Sequence, residues 1–249
     1  MRTVCMLLIV ALSLPGFAFA DPDPRQIIRD TVDHWRGQSS YTEMTMVIHR
    51  PDWERSMTMR GWTKGEDQSL VRVVAPQKDR GNATLTDGNN MWSFSPKVNR
   101  VIKIPSSLMA QSWMGSDFSN KDIVKNDDII DQYDHTLLSS ELVDGQIVYT
   151  IQSVPHDDAP VVWGKEVLKI RQDYVLLEQG FYDQDGKLVK KLETLEIADM
   201  GGRPTSKRQR MSEVEKADEW TEIQLEVVRY DIDISDSMFT LSNLRNPRD

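Results

Sequence analysis

The side chains that most often carry out catalysis or bind metals are sparse in this sequence and follow no recognised spacing. The four histidines, His34, His49, His135 and His156, show no metal-ligand spacing, and the single cysteine is Cys5. The sequence contains no G-x-S-x-G, no P-loop pattern and no G-x-G-x-x-G. We therefore expect no catalytic residue, no metal and no cofactor.

Acidic residues offer two weak candidates for calcium binding. The stretch "DQDG" at residues 183–186 lacks the rest of a calcium loop and is typical of a hairpin turn. The run Asp127, Asp128, Asp131 and Asp134 is typical of a solvated helix face. Among 39 acidic residues, no spacing singles out a carboxylate pair for glycoside hydrolysis. A hydrolase is therefore a distant third hypothesis.

Charge restricts the class of partner. The net charge of −9 argues against nucleic acid, because phosphate binding needs a basic face. The stretch "RPTSKRQR" is the exception, and two interpretations remain open for it. It is either a charged strand that resists aggregation or a candidate docking patch for anionic head groups or an acidic partner. The residues concerned are Arg203, Lys207, Arg208 and Arg210.

Large apolar side chains are the more informative feature. In the alternating pattern of residues 42–63, one face of a hairpin carries Met44, Met46, Met57 and Met59. Methionine is flexible, so this face suits a cavity wall for acyl chains, but it is also ordinary core filler. The central segment, residues 103–123, sets Leu108, Met109, Trp113, Met114 and Phe118 among serines and Gly115. Mobile joints around apolar side chains favour a lid, with a loop closing one barrel end as the alternative.

The first twenty residues have the features of a secretory signal peptide. Arg2 precedes an apolar run, and Ala18-Phe19-Ala20 is typical of a cleavage site. We expect cleavage after Ala20 and export to the periplasm. The mature chain, residues 21–249, would then contain no cysteine for a disulfide or a lipid anchor. No Pro-, Gly- or Ser-rich linker divides it, so we expect a single domain.

The elements that must position these residues are mainly strands. Asp23, Pro24 and Gly37 bound one amphipathic helix, with Asp23 as its N-cap. Turns rich in Asp, Asn and Gly then separate alternating segments, which indicates an antiparallel meander. These segments are residues 42–49, 55–63, 69–74, 82–86, 90–94, 100–104, 136–143, 146–154, 163–171, 175–182, 188–197, 204–213 and 219–232. A curved sheet with helical elements over its concave side fits this order best.

The sequence resembles the outer-membrane lipoprotein-sorting proteins of the LolA/LolB-like superfamily in three stretches. These are "MWSFSP" (91–96), "NRVIKI" (99–104) and "MGSDFSNKDI" (114–123). The similar subgroup is associated with RND/MMPL-type transporters. The matching positions are Trp92, Phe94, Pro96, Arg100, Lys103, Gly115, Asp117, Phe118 and Asp122. The resemblance implies an unclosed antiparallel β-barrel of about eleven strands. An N-terminal helix and a central helical or loop lid would cover its concave face and enclose a hydrophobic cavity.

The resemblance also implies function. It suggests a periplasmic, monomeric carrier that binds acyl chains of a lipoprotein or other lipid and works with an inner-membrane RND/MMPL-type transporter. Under this hypothesis Leu108, Met109, Trp113, Met114 and Phe118 form the lid. The wall is formed by Met44, Met46, Met57, Met59, Trp92 and Phe94. The alternative is an RseB-like regulatory module that senses envelope lipids or lipoproteins.

Overall fold

A computed structural model describes residues 22–124, 128–159 and 161–247 of the chain. The predicted signal peptide and its cleavage site lie outside these residues. The helices are α1 (Pro24–Arg36), α2 (Asn120–Val124), α3 (Asp128–Asp131) and α4 (Leu241–Arg245), with 3₁₀ turns at Ser106–Leu108 and Asp236–Phe239. The strands are β1 (Ser39–Arg50), β2 (Trp53–Lys64), β3 (Gln68–Ala75), β4 (Ala83–Asp87), β5 (Asn90–Ser95), β6 (Arg100–Ile104), β7 (Tyr133–Val143), β8 (Gln146–Pro155), β9 (Lys165–Arg171), β10 (Leu176–Tyr182), β11 (Leu188–Met200), β12 (Arg203–Glu213) and β13 (Trp220–Tyr230).

All strands of the described residues form one antiparallel sheet of thirteen strands, in the order β6-β5-β4-β3-β2-β1-β13-β12-β11-β10-β9-β8-β7. Strands that follow each other in the sequence pair, except β6 and β7, and the pairing of β1 with β13 joins the two halves of the chain. The two end strands, β6 and β7, are not paired with each other, so the barrel is unclosed, as predicted. The family resemblance implies about eleven strands, but the described residues form thirteen. Each of these thirteen overlaps one of the alternating segments identified in the sequence.

Helix α1 begins and ends as its sequence predicts. The Asp23 carboxylate accepts the Arg25 N–H at 3.0 Å, and Pro24 occupies the first turn. Gly37 ends the helix with φ 67°, a conformation that glycine adopts without a steric penalty. The buried side of the helix packs on β7–β9 and α3, through a cluster that includes Ile28, Ile151 and Ile170.

The first hairpin defines the two faces of the sheet. Met44 pairs with Met59 and Met46 with Met57, so all four side chains lie on one face, which we call the inner face. Met46, Met57 and Met59 are fully buried there. This confirms the predicted hairpin and its methionine face. The inner face is the side covered by α1 and the central segment.

The outer face of β3–β5 is covered separately by the carboxyl-terminal elements. Leu70, Leu85 and Phe94 pack against Phe239 and Leu244 of the last 3₁₀ turn and α4. Arg72 donates to the carbonyl of Asn243 at 2.8 Å and so satisfies a free carbonyl group near the end of α4. None of the helices within residues 22–124, 128–159 and 161–247 has the length and hydrophobicity that a membrane span requires.

Candidate functional site

A cavity of about 770 Å³ lies between the inner face of the sheet, α1 and the central segment. This volume falls within the range of about 300–1,000 Å³ that is typical of ligand pockets. Much of the wall is contributed by apolar side chains of β1, β3 and β11–β13. Representative members are Met44, Val71, Leu192, Met211, Ile223 and Leu225.

Gly61 on β2 leaves room for neighbouring side chains of β1 in the cavity wall. A Cβ atom at this position would lie 2.7 Å from Thr42 Oγ1 and 3.1 Å from the Met44 Cε atom. A larger residue would therefore have to displace the side chains of β1 that line the cavity. Glycine is required here because the side chains of Thr42 and Met44 approach its Cα atom closely, and not because of an unusual backbone conformation.

A buried carboxyl group, Glu166 on β9, lies on the opposite side of the cavity. The Tyr133 hydroxyl donates to Glu166 Oε1 at 2.8 Å, and Gln179 Nε2 donates to Oε2 at 2.6 Å. Burial raises the pKa of Glu166, because the charged form loses its hydration, and the two hydrogen bonds oppose that shift. The site therefore favours the neutral acid more than water does.

Glu166→Gln should change the pH dependence of stability. The ordinary pKa of 4.5 is raised in the folded protein, so the folded state holds this proton more tightly than the unfolded chain. The free energy of unfolding of the wild type should therefore fall, relative to Glu166→Gln, as the pH rises from 4.5 through the folded pKa. Urea unfolding at a series of pH values measures this, with the exposed Glu141→Gln as control. A difference between wild type and Glu166→Gln that does not change with pH would contradict the assignment.

A buried ion pair joins β11, in the cavity wall, to the central segment. Lys190 on β11 is 8% exposed, and its Nζ atom lies 3.0 Å from Asp122 Oδ2. The same carboxylate oxygen accepts the Ser119 N–H at 2.8 Å, at the start of α2. The ammonium also lies 5.6 Å from the centre of the Phe181 ring, and Lys190, Asp122 and Phe181 all line the cavity.

Two further contacts fix the central segment to the sheet. Arg50 on β1 donates two hydrogen bonds to the Asp117 carboxylate, at 3.0 and 3.1 Å, and the Thr221 hydroxyl donates to the same group at 2.6 Å. Trp113 is 4% exposed, and its indole N–H donates to Thr84 Oγ1 at 3.0 Å. The central segment is therefore anchored at two positions beside the cavity.

Comparison with known proteins assigns the chain to a family. A family model described as "Uncharacterized protein" matches residues 65–246, well over half of the chain. A DUF1329 family protein from Desulfovibrio piger has a similar structure, with a TM-score of 0.80 and 27% sequence identity over 90% of this chain and 100% of its own. A search of curated protein sequences finds no match.

Two other solved structures place the fold. An outer-membrane lipoprotein-sorting protein domain from Vibrio parahaemolyticus aligns with a TM-score of 0.77 and 21% identity, over 89% of this chain and 98% of its own. A LolA superfamily protein from Nitrosomonas europaea aligns with a TM-score of 0.71 and 23% identity, over 87% of this chain and 97% of its own. Both alignments show that the chain has the fold of these LolA-like proteins.

Within this LolA/LolB-like fold, the predicted lid residues occupy different environments. Met109 and Phe118 line the cavity. Trp113 instead packs among Met46, Met57 and other buried residues of the inner face. Leu108 and Met114 are half-buried and do not line the cavity, and Met114 packs against the same core as Trp113.

The residues predicted to form the cavity wall also occupy different environments. Met44 lines the cavity, whereas Met46, Met57 and Met59 are buried in the adjoining core. Trp92 and Phe94 require a correction, because they lie on the outer face of β5, in the cluster covered by the carboxyl-terminal helix. The inner-face residues of β5 are Met91 and Ser93, which pair with Thr86 and Thr84 of β4.

The predicted basic patch on β12 is largely paired with acidic residues of the same sheet. Lys207 Nζ lies 2.7 Å from Glu196, and Arg208 lies 3.7 Å from Glu222. Arg210 is bonded to Glu222 and stacks on Trp220, and Arg203 lies over the Tyr230 ring at 3.5 Å. The structure thus supplies an internal role for each of these cations, and docking by them remains a prediction.

The remaining motif positions lie on turns and on the surface, apart from the two carboxylates. Pro96 and Arg100 are exposed around the β5–β6 turn, and Lys103 extends over the Trp92 indole at 5.7 Å. Gly115 adopts φ 80°, which explains glycine at that point of the central segment. Asp117 and Asp122 make the buried ion pairs with Arg50 and Lys190.

Sequence reasoning did not find Glu166 and Lys190. The only signal in the sequence was the position of each charged residue on an alternating strand. Glu166 stands two positions before Leu168 on β9, and Lys190 two positions before Leu192 on β11, so each shares the inward-facing side of its strand with a leucine. In the part of the chain that the structure describes, no three His, Cys, Asp or Glu residues come close enough to hold a metal ion.

Proposed function

We propose that the protein is a periplasmic carrier that binds acyl chains of a lipoprotein or other lipid and transfers them towards the outer membrane. The observation that carries this proposal is the cavity of about 770 Å³, with its apolar wall, between the inner face and the covering elements. Acyl burial can drive such binding, because each methylene removed from water contributes about 0.8 kcal/mol. Binding alone performs this function, without catalysis or a cofactor.

The carrier would act as a monomer and exchange cargo with an inner-membrane transporter of the RND/MMPL type. The family resemblance motivates this partner, and the exposed apolar residues near the cavity, Trp35 and Val162, are a candidate exchange surface. Cross-linking in cells that express a tagged protein tests the partnership. Recovery of a permease of this type would support it, and recovery of other envelope proteins alone would contradict it.

Leu225→Asp is the variant that tests the cavity. Leu225 lies on the inner face of β13 opposite Met44 and is only half-buried, because it borders the cavity. An acyl chain would leave the introduced carboxylate without water, so binding should weaken by about tenfold or more. Titration of delipidated protein with a fluorescent fatty acid measures the effect.

The matched control is Leu195→Asp. Leu195 lies on β11, is 39% exposed and does not line the cavity. This variant should bind the fluorescent fatty acid as the wild type does. Equal binding by wild type and Leu225→Asp, with both proteins folded, would contradict the proposed cavity site.

A further inference from the structure

We propose that Lys190 holds the anionic head group, a carboxylate or phosphate, of a lipid whose chain occupies the cavity. This inference rests on the proposed carrier function and specifies its ligand class. The bound lipid would then lie with its charged end inside the protein, against β11, and its tail directed towards β1 and β2.

The position of Lys190 supports this orientation. Its side chain lies on the inner face, two residues before Leu192, and both residues line the cavity. From β11 the sheet continues through β12, β13 and β1 to β2, which is four strand spacings, or about 19 Å along the sheet. The apolar side chains along this path include Ile223, Leu225 and Met44. A lipid whose head group lies at Lys190 therefore has apolar side chains along the strands towards β1 to hold its tail.

The charges around Lys190 leave it able to bind an anion. An ammonium group has three donors, and the Asp122 carboxylate is one partner. Asp122 is also bonded to the Ser119 N–H, so it stays stabilised when the ammonium turns towards a ligand. Glu213, which pairs with Lys190 across the strands, makes its own ion pair with Lys216 at 2.9 Å. Glu166 is held by Tyr133 and Gln179.

A binding comparison tests the head-group site. Delipidated wild-type protein should bind dodecanoate about tenfold more tightly than its methyl ester, because a hydrogen bond to a charged group is worth more than one to a neutral group. Isothermal titration calorimetry measures both dissociation constants. In Lys190→Gln this preference should disappear, so that dodecanoate binds no more tightly than the ester. The control Lys191→Gln removes a cation that pairs with Glu193 on the outer face, and it should keep the preference.

A second variant keeps the inference testable if Lys190→Gln does not fold. Asp122→Asn removes the competing carboxylate and should tighten dodecanoate binding relative to the wild type. Equal wild-type affinities for dodecanoate and its ester would overturn the head-group site, as would a preference that survives Lys190→Gln. In either case the carrier function would stand. Failure of the wild type to bind both compounds would instead overturn the carrier function and the head-group site with it.

Discussion

Asp117→Ala is expected to lower the free energy of unfolding by about 3 kcal/mol, at the lower end of the range for breaking a buried ion pair. The Arg50 and Asp117 side chains are only 15% and 7% exposed, so the variant leaves a buried guanidinium without its main partner. Glu219, 3.6 Å from Arg50, offsets part of the loss. Urea unfolding followed by circular dichroism measures the change.

The exposed pair between Lys64 and Asp236 provides a matched control for this variant. Asp236 is 84% exposed, so Asp236→Ala should change the free energy of unfolding by no more than about 1 kcal/mol. Similar losses in both variants would show that burial does not distinguish the two pairs. The proposed anchoring of the central segment by Asp117 would then be wrong.

Trp113→Ala is expected to destabilise the protein by about 3–5 kcal/mol, because it opens a cavity among buried methionines and leaves Thr84 without its hydrogen-bond donor. Trp113→Phe keeps most of the apolar contact and should cost less. Thermal and urea unfolding of both variants measure this order.

Trp53→Ala is the control for Trp113, since the Trp53 side chain lies on β2 at 50% exposure. We expect a loss of less than about 1 kcal/mol from it. If Trp113→Ala were as stable as the control and only lost lipid binding, Trp113 would be a mobile lid residue. The packed anchor seen in the structure would then be contradicted.

The fold could be predicted from the sequence because strand alternation and helix capping depend on residues that are close together in the chain. Alternation along residues 42–63 places the four methionines on one face, and the structure confirms their pairing across the hairpin. The N-cap at Asp23 and the exit at Gly37 are likewise decided by neighbouring residues.

The candidate site is less predictable because it depends on contacts between distant residues. Alternation shows that Trp92 and Phe94 share a face, but it does not show which face the carboxyl-terminal helix covers. Arg50 meets Asp117 and Lys190 meets Asp122 across 67 and 68 positions of sequence. Charged residues on alternating strands have the same local pattern whether they face solvent or a buried partner.

The central claim, that the cavity carries acyl chains, is tested most directly by mass spectrometry of lipids extracted from gently purified protein. Wild type and Leu195→Asp should both contain lipid near one molecule per chain, and Leu225→Asp should contain much less. Wild-type protein that is purified empty, and that binds no fluorescent fatty acid afterwards, would contradict the claim.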